Sequence, residues 1–227
     1  MEILSCHIKD LKAVNYECGT CKICSPKSKL DYPFEENLKT SESLVDKLMA
    51  FIEKYTRYKC KITTTEKNPD ICVIDVKNED ELIICRAEAK YLEGKAFMKS
   101  EMILADHLKP KETLIIDKPK LISYFECYEN DFKTYGYYIP IFIVWEFNRP
   151  CPDIGGITVY QNINVLRNIY QQRGDKRAFK RRQGDGDIID GRQLGIVDKY
   201  HFSIRECKPI ETLPHEIMRI NIPGGKL

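Results

Sequence analysis

Residues 68–90 read NPDICVIDVKNEDELIICRAEAK, and the fold follows from how this stretch bends back on itself. Residues 71–76 and 82–85 are rich in β-branched side chains, and the charged, Asn-containing segment 77–81 between them has the composition of a turn. The pattern predicts a hairpin. Side chains alternate faces along a strand, so Leu82, Ile84, Arg86, Glu88 and Lys90 are expected on one side. With the turn centred on Glu79, cross-strand partners have residue numbers summing to about 158. Asp70 then stands opposite Glu88, with Cβ atoms roughly 5 Å apart. Two carboxylates at that separation repel, and ending an apolar hairpin on them is costly unless something neutralises them. A hard divalent cation would do so, since Mg²⁺ favours one or two carboxylates together with phosphate and water oxygens.

Pro69-Asp70, an intervening hairpin and then Glu88-Ala89-Lys90 resemble the active-site signature of the PD-(D/E)XK nuclease superfamily. That group includes many restriction endonucleases and the archaeal Holliday-junction resolvases. The resemblance implies an α/β fold, a mixed β-sheet flanked by helices (a restriction-endonuclease-like core). It also implies hydrolysis of phosphodiester bonds in DNA with Mg²⁺, or Mn²⁺ in its place. Asp70 and Glu88 would hold the ion, joined by the backbone carbonyl of Ala89, and Lys90 would act on the attacking water. An acidic residue on the helix before the first strand assists in resolvase-like members, and Glu42 matches that position. A restriction-type endonuclease leads, with a structure-specific junction or flap enzyme as the alternative. Double-strand cutting at a palindrome would imply a homodimer. Two further classes stand beside these: a non-catalytic zinc-dependent nucleic-acid-binding protein, and an interaction protein gripping an acidic partner.

Composition sets outer limits. The chain of 227 residues is long enough for one sizeable core with a small appendage. Its formal charge of +2 is close to balance, so affinity for a polyanion must come from local clustering. No apolar run approaches the ~18–20 residues needed to cross a bilayer, and the first residues lack the pattern of a signal peptide. Ten cysteines without an export signal point to a reducing cytoplasm, hence to metal ligands or buried thiols before disulfides.

Residues 1–38 read as an irregular, Cys-rich segment with a metal site, and residues 39–227 as the nuclease core. Cys18-x-x-Cys21-x-x-Cys24, with Cys6 upstream, is a dense thiolate cluster. Four thiolates suit a closed structural Zn²⁺ site, and the spacing also matches that of an iron–sulphur cluster. Cys72 and Cys85 fall within the hairpin strands and are most simply core residues.

Thr40-Ser41 offers a cap for a helix to about Tyr58, with Leu44, Leu48, Phe51, Ile52 and Tyr55 on one apolar face. Residues 59–65 read as the first strand, 95–108 as a helix, 113–116 as a strand and 121–128 as a helix opened by Pro119. Residues 138–147 (YIPIFIVWEF) are the most hydrophobic run and are expected in mid-sheet. A strand over 156–160, a helix over 163–170, a strand over 199–207 and an edge strand over 217–222 complete the reading. A basic loop spans 171–195, with Arg173, Lys176, Arg177, Lys180, Arg181, Arg182 and Arg192. With Lys95, these residues are the expected contacts to the DNA backbone.

Overall fold

The hairpin forms, and its register is the expected one only at the end that matters. The computed structural model of the chain describes residues 4–18, 34–65, 67–77, 80–93, 96–149, 151–182 and 196–221. Strand β2 (Ile71–Lys77) pairs antiparallel with β3 (Asp80–Glu93). Ile71 faces Ala87, Cys72 faces Arg86 and Val73 faces Cys85; beyond that point the register shifts, so that Ile74 faces Ile83. Ile84 is the extra residue of a β-bulge, which locally breaks the alternation of faces. The expectation that Leu82 and Ile84 share a side with Arg86, Glu88 and Lys90 is therefore corrected. Ile84 and Leu82 join the apolar cluster that contains Cys85, Ala87 and Ala89, on the opposite face from Glu88.

The main sheet has six strands in the order β1-β2-β3-β5-β6-β9, where β1 is Lys59–Ile62, β5 Ile141–Asn148, β6 Thr158–Asn162 and β9 Lys208–Pro209. Only β3 and β5 run parallel, and the other neighbours are antiparallel. The sheet is thus mixed, as expected, and β5 lies in mid-sheet. Residues 141–145 are all buried because both faces are covered. Ile141, Ile143, Trp145 and Phe147 face one core, and Phe142 and Val144 the other.

Helices α1 (Phe34–Tyr55) and α5 (Leu213–Met218) cover the second of these faces. Leu44, Leu48, Phe51 and Ile52 pack there with Leu213 and Ile217. Helix α1 begins before the expected cap, so Thr40 lies inside it. Of the edge strand expected at 217–222, residues 217–218 are the end of α5, which is opened by Pro214 in its first turn, residues 219–221 are in no strand, and residue 222 lies outside the described residues. In the segment expected as a long helix over 95–108, the described helix is the single turn α2 (Ser100–Ile103).

The other face carries the crossover between β3 and β5. It runs through β4 (Thr113–Asp117) and α3 (Lys118–Tyr135), and α4 (Ile163–Arg173) lies alongside. A three-stranded sheet, β4-β8-β7, closes this layer, with β7 at Ala178–Arg182 and β8 at Ile196–Ser203. Residues 178–182 of the expected basic loop are therefore a strand, paired with β8. Cys6, Leu11 and Tyr16 pack onto the same layer, while Leu4 joins the opposite core: Tyr16 is buried, its hydroxyl donates to the Leu11 carbonyl, and the Arg205 guanidinium lies over its ring. No helix among the described residues is long and apolar enough to cross a membrane.

One buried ion pair fixes α3 to the central strand. Arg86 donates from Nε and Nη2 to the two carboxylate oxygens of Asp131, both at 2.8 Å. Burial by itself would weaken the guanidinium's hold on its proton, but the Asp131 bonds more than reverse this. Removing one partner strands a charge in the interior, which costs about 3–5 kcal/mol. Asp131→Ala should therefore lower unfolding stability by roughly that amount in urea denaturation. A loss below about 1 kcal/mol would mean that α3 is held by its apolar face alone.

Candidate active site

Strand β2 leaves the ladder at Asp70, where Thr63 N–H donates to the Asp70 carbonyl at 2.8 Å. Strand β3 continues past it towards Glu93. At that step side chains take the place of ladder partners. Ala89 N–H donates to Asp70 Oδ2 at 3.1 Å, and Asp70 N–H donates to Glu88 Oε2 at 3.1 Å. The two carboxylates are thus cross-linked through each other's strands. The expected juxtaposition of Asp70 and Glu88 is present, and the bulge is what produces it: beside the turn the partners' numbers sum to 157, and the extra residue Ile84 moves the register to the 158 that sets Asp70 against Glu88.

Glu88 is 0% exposed, yet it is surrounded by cations. Lys90 donates to Glu88 Oε1, and Lys120 Nζ lies 3.6 Å from the same oxygen. The buried Tyr124 hydroxyl acts on this carboxylate electrostatically without forming a complete hydrogen bond. Burial alone would raise the Glu88 carboxyl, but Lys90 and Lys120 outweigh it and hold the group below the usual range. For Lys90, burial pulls downward and Glu88 and Asp70 pull upward, with Asp117 adding to them, so the amine stays an ammonium. Asp70 goes the other way: burial first, then the Glu88 charge, push it up to about 6, against Lys90 and the Ala89 amide.

Lys120 and Tyr124 were not among the expected residues. They sit four apart in α3, so both point from one helix face towards β3. The spacing Lys-x-x-x-Tyr just after Pro119 is the signal in the sequence, but nothing local ties it to Glu88. The contact arises from the crossover, which lays α3 on the Glu88 face.

Other expected residues lie elsewhere. Glu42 is exposed on α1, a helix that packs against the face bearing Ala87 and Ala89 rather than Glu88, and among the described residues no contact joins it to the acidic pair. Arg177 is corrected: it is 3% exposed, with bonds to Asp106 and, at 2.8 Å, to Glu206. It is a structural cation, not a phosphate contact. Arg173 is paired with Asp106 at 3.2 Å, whereas Lys176 and Lys180 are exposed. Arg181 and Arg182 belong to β7. Lys95 and Arg192 lie outside the described residues, as do Cys21 and Cys24. Cys6 is buried, with its thiol directed to the Ile8 carbonyl, and Cys18 is half-buried.

The donor set at Asp70 and Glu88 fits a hard divalent cation. Both side chains offer carboxylate oxygens, and they come from opposed β segments. Among the described residues no hydrogen bond engages Asp70 Oδ1. No family model matches this chain, and no curated protein does. Among solved structures, a nuclease from a fusselovirus is similar over 79% of this chain and 90% of its own, with 10% identity and a TM-score of 0.42.

The raised Asp70 carboxyl has a consequence for stability. The folded state binds this proton more tightly than the unfolded chain, so stability falls as pH rises from about 4 to about 6 and the penalty is complete above that. Asp70→Asn keeps an acceptor for Ala89 N–H and removes the charge. In EDTA it should raise the melting temperature at pH 8 and raise it by much less at pH 4.5. Identical melting of the two proteins at pH 8 would remove the penalty assigned to Asp70.

Proposed function

We propose that this protein is a metal-dependent nuclease of the PD-(D/E)XK kind that hydrolyses phosphodiester bonds in DNA. The observation that carries this reading is the Asp70–Glu88 pair, cross-linked through the Ala89 and Asp70 amides, with the Lys90 ammonium on Glu88. Asp70 and Glu88 would hold Mg²⁺ or Mn²⁺, with the Ala89 carbonyl as the expected third protein ligand. A divalent ion so held would supply Lewis acidity at the phosphate and acidify a bound water.

The chain's own residues do the rest. Glu88 is kept ionised at neutral pH by Lys90 and Lys120, so it is ready to bind a cation without first losing a proton. Asp70, at about 6, is mostly ionised at pH 7 to 8 and mostly protonated at pH 5, so cation binding should weaken in acid. Lys90, held as an ammonium, offers donors rather than a basic lone pair. Its part is to orient the attacking water by donating to it and to offset the negative charge gathering on the phosphoryl oxygens. The exposed Lys176 and Lys180 are available for the DNA backbone, while Arg177 is not. Within the nucleases, the restriction-type endonuclease remains the leading reading and the junction or flap enzyme the alternative.

Purified protein with supercoiled plasmid, linear duplex and branched DNA, in Mg²⁺ or EDTA, tests this directly. Cleavage should require the metal, and Asp70→Asn, Glu88→Gln and Lys90→Ala should each reduce it by about a hundredfold or more with circular dichroism unchanged. Products from plasmid identify an endonuclease, and a preference for branched substrate identifies the alternative. Cleavage that survives EDTA, or that survives in any one variant, would contradict the role given to that group.

A further inference from the structure

The charges around Glu88 do not stop at the motif. Two ammonium groups, Lys90 and Lys120, meet the same oxygen, Oε1, and they are not equivalent. Lys90 rises from β3 two residues along, is 23% exposed, and is further held by Asp70 and Asp117. Lys120 comes from the first turn of α3, is 42% exposed, and stands off at 3.6 Å. One turn along, the Tyr124 hydroxyl is buried and acts on the same carboxylate. Two carboxylates and two ammonium groups already balance. A dication placed on Asp70 and Glu88 would leave that balance two charges in excess, and the repulsion falls on the ammonium that is farther out and freer to swing.

We propose that Lys120 is an exchangeable counter-ion of Glu88: it neutralises the carboxylate in the empty site and, when a metal ion binds there, turns outward to receive an oxygen of the scissile phosphodiester. It is a positioning residue, acting on Glu88 in one state and on substrate in the other. The proposal rests on the metal-dependent reading above. It extends that reading by making one lysine link metal affinity to DNA affinity with opposite signs. A flexible four-carbon stem with a compact charge suits such a two-position role. The motion leaves Tyr124 as the neutral neighbour of Glu88.

Calorimetric titration of the full chain with Ca²⁺, in the absence of DNA, reads the first half. Removing the competing ammonium in Lys120→Met should tighten Ca²⁺ binding by about two- to five-fold, the range an exposed ion pair supports. Lys120→Arg, which keeps the charge, should restore affinity towards that of the unaltered protein. Fluorescence anisotropy with a duplex oligonucleotide in Ca²⁺ reads the second half, and Lys120→Met should weaken DNA binding there. A merely structural role cannot tighten one ligand while loosening the other. Equal or weaker Ca²⁺ binding in Lys120→Met overturns the exchange. Unaltered protein that binds no Ca²⁺, or binding that Glu88→Gln leaves intact, overturns the metal site itself and the role of Lys120 with it.

Discussion

A carboxylate with no exposure to solvent, in the middle of a mixed sheet, is the constraint on which this structure turns. An isolated buried charge is too costly to keep, so everything near Glu88 has to compensate it. Lys90 does so from the same strand, Lys120 from the crossover helix, and the Asp70 amide from the neighbouring strand. The Arg86–Asp131 pair, two residues back along β3, locks α3 at the distance these contacts require. The site and the packing of the crossover layer are therefore one arrangement, held by charges on one face of one strand.

The two acids are alike in chemistry and opposite in state. Glu88 is buried and Asp70 half-buried, and each sees the other, yet Glu88 is held low by two lysines while Asp70 is pushed up by its removal from water and by the Glu88 charge, which the same lysines only partly offset. Pushing the proton affinities of adjacent carboxylates apart is how a protein sets one as a standing anion and the other as a group that responds to pH or to a cation. The near-neutral charge of the whole chain hides this local polarity.

Much of the fold could be read locally. The β-branched runs and the Asn-containing turn placed the hairpin, and the unbroken apolar run of β5 placed a strand with both faces covered. The Asp70–Glu88 opposition was legible from a turn centred on Glu79, although the pairs beside the turn sit one residue off that register and the bulge restores it. The bulge at Ile84 was not, since two isoleucines side by side offer no mark of which one is unpaired. Helix α5 does not show in the sequence because six residues carry little periodicity and Pro214 is the only mark of its start. Arg177 looked like a phosphate contact within a basic run, and only tertiary structure brings Asp106 and Glu206 to it. The same reason hid Lys120: its partner is 32 residues away, on a strand joined to it through β4.

Anomalous diffraction from crystals of the full chain grown with Mn²⁺ tests the central claim most directly. The account predicts a peak within about 2.5 Å of carboxylate oxygens of both Asp70 and Glu88, with the Lys120 amine withdrawn from Glu88 Oε1. A map with Mn²⁺ bound elsewhere, and both lysines still resting on Glu88, would contradict it.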